Sequence, residues 1–429
     1  MASKNLKDNL RKKLAIRKGP KKICLNMIVK NESRIIRRLL ESLKDIVDMI
    51  SIVDTGSTDN TEELIIQWGK ENNIPTVVHH EPFKNFAYNR THSIQMAKKT
   101  FPTADYFLLS DADFIWEKNG YFNKTLLTDH RYLIKQYNNL VSYWNVRLLS
   151  ANIDWECVGV THEYWRECKK QSKYQGIIRT SKITSLVIND REDGGCKTDK
   201  FIRDERLLLQ GLKDPNTPKD LLSRYKFYLA QTYRDLQRYY DSIEWYKKRI
   251  EDQGWPEEVF YSKFQIGFNY EQIAWNQKKA LELMKKDNRT SDEELFLHQW
   301  NPTDLTFSDF NQEIVRNFKE AGRYYLDAYN YRKTRSESLY YLVRMYRMLE
   351  IYPTAFNFAL VGKTIKYPEE DILFVENACY DYLFDYEICM TAWYLNKKDI
   401  GRESLAKLIF RNDLPEWIKN NIKELSRIY

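Results

Sequence analysis

The sequence predicts an α/β domain with a Rossmann-like, mostly parallel sheet, followed by an all-α domain of helical repeats. Two patterns in the 429 residues indicate this organisation. Over residues 22–205, short apolar runs alternate with amphipathic helical segments, which is typical of a parallel sheet with helices on both faces. Over residues 206–429, only helical patterns occur, and aromatic residues recur at helical spacing. Residues 1–21 form a basic tail ahead of both domains.

The α/β domain begins with four apolar runs that are typical of strands and are separated by helical segments. The strands are predicted at residues 22–29, 49–56, 75–83 and 104–113, with helices at 32–46, 60–73 and 91–100. Sheets of this class bind ligands at the carboxyl ends of their strands. The acidic turns VDTGSTD and SDAD fall at two of those ends, so they are the first candidates for a functional site.

The second domain contains a degenerate repeat in which a small residue stands three positions before a tyrosine. Ala230 precedes Tyr233, and Gly267 precedes Tyr270. These offsets resemble tetratricopeptide helical hairpins, which bury their faces only by stacking into a superhelical array. The polar stretch at 285–310 predicts an insertion or a long loop within that array.

Composition limits the class of protein. The formal charge of +8 lies largely in the N-terminal tail, which is either solvated or a contact for an anionic surface. The sequence has no apolar run long enough to predict a membrane span, and its N-terminus lacks the apolar segment of a secretory signal. The six cysteines are scattered without Cys-x-x-Cys spacing, which is typical of reduced thiols. A cytoplasmic protein is therefore expected.

The turn VDTGSTDNT places Asp54 at the end of the second predicted strand, beside Gly56. A carboxylate exposed at a strand end accepts hydrogen bonds from a nucleobase imide or from ribose hydroxyls. The alternative is that Asp54 only shapes the turn while residues 59–61 cap the next helix. The turn by itself leaves both interpretations open.

Asp111 and Asp113 follow the fourth predicted strand with one residue between them. Alternate side chains of an extended segment point the same way, so both carboxylates can face one ligand. Two carboxylates held close together repel each other unless a cation intervenes, and Mg²⁺ and Mn²⁺ prefer such oxygen ligands. The alternative is a polar strand end without a ligand.

The apolar segment at 154–165 predicts a further strand that carries His162 and Glu163 towards its end. A histidine on an apolar strand is either a ligand or a buried core residue. Asp154, Glu156 and Glu163 are candidate general bases, because a carboxylate beside a bound hydroxyl can take its proton.

The segment after residue 190 combines glycines with basic residues. Gly194 and Gly195 provide a hinge, and Lys197, Lys200 and Arg203 supply positive charge after it. A mobile basic loop of this kind closes over a diphosphate. The alternative is a solvated linker between the domains.

Taken together and in this order, these segments resemble glycosyltransferase family 2 enzymes of the GT-A fold, in the subgroup with C-terminal tetratricopeptide-like repeats. The resemblance covers about residues 22–275 and rests on CLNMIVKNES, VDTGSTDNT, NFAYNRTHSI, LLSDAD and GVTHEYW. The chain departs from the family pattern at Thr91, where an asparagine usually follows the arginine. The motifs are specific for a nucleotide-sugar donor and not for any one sugar.

The resemblance implies roles for individual residues. Donor binding is expected from Val29, Asn31, Glu32, Asp54, Gly56, Ser57, Arg90, Asp111, Ala112, Lys197 and Lys200. The resemblance also implies that Asp111, Asp113 and His162 bind Mn²⁺ or Mg²⁺. Glu163 is the preferred catalytic base and Asp154 is the second candidate.

The function implied is metal-dependent transfer of glucose or an N-acetylhexosamine from a UDP-sugar to a protein, peptide or glycan acceptor, with inversion. The helical array is expected to hold the acceptor or a second subunit, and no nucleic acid is expected. Two alternatives remain. One is a non-catalytic repeat scaffold with a vestigial transferase domain. The other is a nucleotidyltransferase, which usually has a Gly-rich basic loop where this chain has MIVKNES.

Overall fold

The structure is a computed structural model that describes residues 19–138, 142–168, 176–194, 200–300 and 307–429. It divides into two compact units, Met1–Leu207 and Leu208–Tyr429. Most of the predicted basic tail, residues 1–21, lies outside the described residues, which begin at residue 19.

Ten strands lie in the described part of the first unit, and eight of them form one sheet. The strands are β1 (Ile23–Val29), β2 (Met49–Asp54), β3 (Thr76–His80), β4 (Tyr106–Leu109), β5 (Phe114–Lys118), β6 (Arg131–Tyr137), β7 (Ser142–Ser150), β8 (Trp155–Val158), β9 (Tyr164–Glu167) and β10 (Thr180–Asp190). The order in the large sheet is β3-β2-β1-β4-β7-β6-β10-β5, and β8 and β9 form a separate two-stranded hairpin.

The four predicted strands are confirmed as β1 to β4, and they are neighbours in one parallel half of the sheet. The other half is mixed, because β7 is antiparallel to both β4 and β6, and β10 is parallel to β6 but antiparallel to β5. In the parallel half the strands end at the same edge, so the turns after β1, β2 and β4 come together there.

The helices of the first unit cover both faces of the sheet, as predicted. They are α1 (Ile36–Leu43), α2 (Thr61–Glu71) and α3 (Phe86–Thr100), and a fourth helix, α4 (Lys200–Lys213), contains the boundary between the two units. Successive residues of β1 alternate between the faces: Leu25 and Met27 pack in one core cluster with residues of α1 and α2, and Cys24 packs in the other with Ile94 of α3. Helix α3 begins before the predicted segment because the side chain of Asn85 accepts a hydrogen bond from the backbone N–H of Tyr88 at 2.9 Å.

The second unit is all-helical, as predicted. Its helices are α5 (Lys219–Asp235), α6 (Tyr239–Glu251), α7 (Pro256–Met284), α8 (Ser291–Trp300), α9 (Phe307–Tyr331), α10 (Glu337–Met348), α11 (Tyr352–Gly362), α12 (Asn377–Asp381), α13 (Leu383–Ala392), α14 (Lys398–Ile409) and α15 (Glu416–Ile428).

These helices pack on one another in succession, as stacked hairpins do: α5 on α6, α6 on α7, α7 on α9, α10 on α11 and α13 on α14. The small residue of the repeat allows this close packing, because a Cβ added at Gly267 would lie 2.7 Å from the ring of Tyr325. The predicted insertion at 285–310 is not wholly a loop, since it contains α8.

Within the described residues, no helix combines the length and the apolar character needed to cross a membrane.

Candidate functional site

The turns after β1 and β2 are joined by hydrogen bonds at the carboxyl edge of the sheet. The side-chain oxygen of Asn31 accepts from the backbone N–H of Thr58 at 2.7 Å, and the N–H of Asn31 donates to Ser57 Oγ at 2.9 Å. The N–H of Glu32 donates to Thr61 Oγ1 at 2.8 Å. Asn31 adopts a left-handed conformation with φ of 56°, which asparagine tolerates better than most residues. The two turns therefore form one continuous surface.

Asp54 shapes its turn through one carboxylate oxygen and leaves the other oxygen available as a hydrogen-bond acceptor. Its side chain is buried, and Oδ1 accepts from the N–H groups of Gly56 at 2.8 Å and Ser57 at 2.7 Å. Gly56 has φ of +114°, a conformation that favours glycine. Oδ2 of Asp54 has no hydrogen-bond partner among the described residues, so the turn-shaping role and the predicted nucleotide contact are compatible.

Val29 and Ala112 have side chains in the hydrophobic core beneath these turns. The carbonyl oxygen of Val29 accepts from both the N–H and the hydroxyl of Thr55, at 2.9 and 3.0 Å. Only backbone atoms of Val29 and Ala112 can therefore contribute to the predicted donor contacts.

Arg90, on α3, joins two of the predicted site carboxylates. Its Nη2 donates to Asp111 Oδ1 at 2.6 Å, and its Nε lies 2.6 Å from Glu163 Oε1 in an ion pair without hydrogen-bond alignment. Arg147 Nη1 donates to the other oxygen of Asp111, Oδ2, at 3.2 Å. We call Arg90, Asp111, Arg147 and Glu163 the arginine–carboxylate cluster.

The charges of this cluster keep Asp111 ionised. Burial by itself would raise the pKa of Asp111, but the guanidinium groups of Arg90 and Arg147 outweigh it and hold the pKa at about 2. The same two carboxylates, Asp111 and Glu163, raise the pKa of Arg90 against the opposing effect of burial. At neutral pH, the Asp111 carboxylate and the Arg90 guanidinium are therefore both charged.

Arg147 is a site residue that the sequence reasoning missed. It lies on β7, its side chain is 10% exposed, and its Nη2 donates to Gln136 Oε1 of β6 at 2.8 Å. Its guanidinium also lies 4.6 Å from the ring centroid of Phe114 on β5. The available signal was a single arginine inside the apolar run VRLL, but β7, which carries Arg147, and the strands of its partners Gln136 and Phe114 were not predicted.

The structure corrects the predicted strand at 154–165. Two short strands, β8 and β9, pair in a hairpin, and His162 and Glu163 lie in the turn between them. The turn is tight: Gly159 has φ of +110°, and a Cβ there would lie 3.2 Å from the Cα of Glu163. His162 has φ of 49°, so it is a turn residue and not the strand residue that was expected.

The predicted metal-binding triad does not form a ready-made site. Both oxygens of Asp111 are engaged by arginines, and among the described residues no three His, Cys, Asp or Glu side chains are grouped as a metal site requires. The set Asp111, Asp113 and His162 therefore does not fit a three-ligand site in this arrangement. A metal requirement stays a prediction.

The segment after β10 folds against Asp113. The N–H of Arg191 donates to the carbonyl oxygen of Asp113 at 3.2 Å, and a Cβ added at Gly194 would lie 3.4 Å from Asp113 Oδ2. Asp193 binds Arg38 of α1 through both carboxylate oxygens, each at 2.7 Å. Residues 191–194 are therefore anchored at the site.

The expected basic loop is only partly described. Gly195 and Lys197 lie outside the described residues. Lys200 is the first residue of α4 and Arg203 lies inside that helix, so these two cations are carried by a helix and not by a loop.

The two candidate bases occupy different places. Asp154 Oδ1 lies 2.6 Å from Lys98 Nζ near the end of α3, about 12 Å along the helix from Arg90 at 1.5 Å per residue. Glu163 belongs to the arginine–carboxylate cluster, and its second oxygen, Oε2, has no partner among the described residues. Glu156 is paired with Arg166 within the hairpin at 2.8 Å.

Thr91, the departure from the family pattern, ties α3 to the hairpin. Its hydroxyl accepts from the N–H of Cys157 at 2.9 Å and lies 3.3 Å from the carbonyl oxygen of the same residue. This contact fixes the start of the hairpin that carries Glu163 next to the helix that carries Arg90.

Comparison with known proteins gives a family match in the first unit. The sequence model described as "Glycosyl transferase family 2" matches residues 24–128, which include Asp54, Arg90 and Asp111. No curated protein matches the chain significantly.

Solved structures with some similarity have low scores. The chain is similar to the tetratricopeptide protein TTC0263 of Thermus thermophilus at 10% identity, over 53% of this chain and 91% of that one, with a TM-score of 0.29. It is similar to S. aureus TarS at 11% identity, over 71% of this chain and 55% of that one, with a TM-score of 0.29. Residues 1–349 of S. aureus TarS in complex with UDP give 14% identity, 92% and 95% coverage and a TM-score of 0.23. Scores this low do not establish a shared fold.

The family match agrees with the parallel strands and acidic turns on which the sequence resemblance rests. Residues 24–128, within the first unit, therefore match the glycosyl transferase family 2 model.

Proposed function

We propose that this chain transfers a sugar from a UDP-sugar to an acceptor hydroxyl, with inversion at the anomeric carbon. The observation that carries the proposal is the arginine–carboxylate cluster, in which one guanidinium, that of Arg90, contacts both Asp111 and Glu163. Arg90 and Asp111 lie inside the segment that matches the family, and Arg147 and Glu163 follow after its end at residue 128. An inverting transfer needs one base opposite the leaving group, and the cluster offers one carboxylate in that role.

The donor would lie across the carboxyl ends of β2, β1 and β4. Asp54 and the joined turns at Asn31 and Glu32 would hold the nucleoside, and Asp111 would accept from the ribose. Because β1 lies between β2 and β4, Asp54 and Asp111 are separated by roughly 10 Å across the sheet at about 4.8 Å per strand. That span suits a nucleoside and the start of its diphosphate.

Positive charge for the departing diphosphate would come from the guanidinium groups of the cluster and from Lys197 and Lys200. Fixed cations aimed at a developing negative charge stabilise the transition state because they need no reorganisation. Arg90 and Arg147 are already held in place by Asp111, so their charge is directed before the donor binds.

Glu163 would take the proton of the acceptor. Its Oε1 contacts Arg90, which fixes the side chain, and its Oε2 is the oxygen left for an acceptor hydroxyl. Asp154 is paired with Lys98 at the far end of α3, so we assign it no part in the transfer.

The transfer is proposed to depend on a metal ion, with Asp113 as the single protein side chain that binds it. Asp111 is assigned to the arginines and the ribose, and a role for His162 as a further ligand stays a prediction. Mn²⁺ or Mg²⁺ bound by a single protein carboxylate, together with oxygens of the donor, is a common arrangement for nucleotide substrates.

Glucose or an N-acetylhexosamine as the sugar, and a protein, peptide or glycan as the acceptor, are proposed from the resemblance. Association of two copies through the helical unit is proposed on the same basis. A cytoplasmic location also stays a prediction.

A panel of UDP-sugars and GDP-sugars tests the proposal. The protein is incubated with each donor in Mn²⁺, Mg²⁺ or EDTA, and release of the nucleoside diphosphate and the thermal unfolding midpoint are measured. We expect UDP release from at least one UDP-sugar, dependent on a divalent cation and lost in Asp113→Ala. The matched control is Asp45→Ala, which removes an exposed carboxylate elsewhere in the same unit.

The same panel, with one further incubation, separates the alternatives. If no donor is hydrolysed and none raises the unfolding midpoint, the chain is a scaffold with a vestigial domain and the proposal is wrong. A separate incubation with a nucleoside triphosphate and a sugar phosphate tests the other alternative, because release of pyrophosphate there would indicate a nucleotidyltransferase.

A further inference from the structure

The second unit contains an open cleft of about 340 Å³ that the proposed transfer reaction does not use. Its walls come from the turn between α5 and α6 and from helices α7, α8 and α9. The volume is at the lower end of the range that small-molecule sites occupy, and it suits one or two sugar-sized rings.

Aromatic rings form one side of the cleft. The rings of Tyr239 and Trp300 lie 6.0 Å apart with an interplanar angle of 35°, and Tyr240 beside them is 53% exposed. Rings held against one another in this way offer a rigid apolar surface at low cost in side-chain entropy. A ligand with a flat apolar face can stack on them.

Three glutamine amides line the same cleft: Gln237, Gln277 and Gln299. Gln277 is 5% exposed, and its Oε1 accepts from Asn317 Nδ2 at 2.8 Å, which fixes the amide. Its Nε2 has no partner among the described residues, nor have the side-chain amides of Gln237 and Gln299. The cleft therefore presents donors and acceptors beside the rings.

The charges of the cleft argue against an anionic ligand. Asp241 is paired with Arg238 at 2.8 Å, and Glu313 lies 3.5 Å from Arg316 and 3.5 Å from the hydroxyl of Tyr240. Among the described lining residues, two carboxylates stand against one guanidinium and each carboxylate is already paired, so no excess positive charge favours a diphosphate.

The described residues that line the cleft also include no aliphatic side chain. An apolar peptide side chain would therefore find no pocket of the kind that anchors a peptide. A neutral ligand with one apolar face and several hydroxyl groups matches the lining better.

We propose that this cleft binds a neutral carbohydrate. The C–H face of a pyranose ring would stack on Trp300 and Tyr239, and its hydroxyl groups would bond to the amides of Gln277 and Gln299 and to Glu313. The site lies wholly within the second unit, and its binding of sugar does not depend on the transfer reaction. In a glycosyltransferase it would hold a glycan acceptor away from the reacting end.

The test is direct binding of cellotetraose, maltotetraose and chitotetraose to the full chain, measured by isothermal titration calorimetry and by ligand-observed NMR without any nucleotide. We expect at least one tetrasaccharide to bind, and Trp300→Ala to weaken its binding about tenfold, which corresponds to about 1.4 kcal/mol for the loss of a ring stack. Trp300→Phe keeps a ring and is expected to lose less. Gln299→Ala probes the hydroxyl contacts separately.

The matched control is Trp417→Ala, which removes another half-exposed tryptophan of the same unit outside the cleft. Trp417→Ala is expected to bind the sugars as the parent chain does. Binding is compared only among variants whose thermal unfolding midpoints equal that of the parent chain. The proposal is overturned if none of the three sugars binds at millimolar concentration, or if Trp300→Ala binds as well as the parent. Binding of a serine-rich peptide at this cleft in preference to the sugars would overturn it as well. None of these outcomes bears on UDP-sugar hydrolysis.

Discussion

Arg147 Nη1 donates to Asp111 Oδ2 across 3.2 Å, so an arginine from the antiparallel half of the sheet completes a contact that Arg90 makes from α3. Each oxygen of the Asp111 carboxylate thereby accepts from a different guanidinium group, one carried by α3 and the other by β7. This position accounts for the low pKa of Asp111 and makes Arg147 as much a part of the site as any residue of the acidic turn.

Replacing Arg147 with methionine is expected to lower activity. The change leaves Asp111 with one cation and leaves the buried Gln136 Oε1 without its donor, at a cost of about 1–3 kcal/mol for the unpaired group. Activity should fall by roughly tenfold or more through misplacement of Asp111, measured as kcat and KM for UDP release. Arg166→Met is the control, because Arg166 pairs with Glu156 in the nearby hairpin. An equal loss in both variants would contradict the assignment.

Glu163→Gln is expected to lower kcat by about 10²–10⁴-fold, because the amide keeps the shape of the side chain and cannot accept a proton. Asp154→Asn and Glu156→Gln remove carboxylates that are paired with Lys98 and Arg166, and both should keep nearly full activity. Single-turnover rates with a competent donor and acceptor make the comparison. If Asp154→Asn loses as much as Glu163→Gln, the base is misassigned.

Gly267→Ala is expected to destabilise the second unit. The new Cβ would lie 2.7 Å from Cδ1 of Tyr325, a buried ring, and 3.1 Å from the carbonyl oxygen of Ala321. Overpacking of this kind costs about 1–3 kcal/mol and outweighs the helix propensity that alanine gains. The free energy of unfolding is measured by urea denaturation.

The control for that change is Gly322→Ala, also within a helix. Its Cβ would lie 3.3 Å from the hydroxyl of Tyr346, the far end of a side chain that can shift. It should leave the stability unchanged or raise it by up to about 1 kcal/mol. Equal destabilisation by both changes would contradict the role of Gly267 as the small residue of the hairpin.

Glu376 predicts a pH dependence of stability. Burial, followed by the neighbouring Glu337 carboxylate, raises the pKa of Glu376 to about 7 from 4.5, although Arg335 and Arg344 act in the opposite direction. The folded state therefore binds this proton more tightly than the unfolded state, and stability is lost as the pH rises from about 4.5 to about 7.

Urea denaturation at pH 5 and pH 7.5 measures the effect. Glu376→Gln should flatten the difference, because the amide is neutral throughout. Glu369→Gln, which changes a carboxylate nearby in the chain, is the control and should keep the slope of the parent chain. A parent chain that is more stable at pH 7.5 than at pH 5, with the difference unchanged in Glu376→Gln, would contradict the prediction.

The parallel half of the sheet was predictable because β1, β2 and β4 are apolar runs that are buried along almost their whole length, and β3 at the edge of the sheet is a short, partly buried strand. The strands β5, β6 and β10 mix apolar and charged residues, as in FIWEK and RYLIKQY, and each has a burial pattern that alternates. Their pairings are also with distant segments, and no local pattern specifies a partner of that kind. The mixed half of the sheet was therefore missed.

The acidic residues of the site could be identified from the sequence, but the residues that they contact could not. Asp54 and Asp111 stand out at the ends of apolar runs, whereas the Arg147–Asp111 contact joins residues 36 positions apart in sequence. His162 was expected on a strand because its segment is apolar, but Gly159 at positive φ turns the chain there. Backbone conformation of this kind depends on neighbours that a sequence pattern does not specify.

The joined turns at Asn31 and Thr58 have a consequence for selectivity. Ordering a free side chain on binding costs about 0.5–1.5 kcal/mol, and these side chains are already fixed by their own hydrogen bonds. A nucleotide bound there, as proposed above, would meet side chains whose positions are fixed and cannot shift to satisfy the unpaired groups of a wrong base. Discrimination among nucleobases would thus be built into the loops before any ligand arrives.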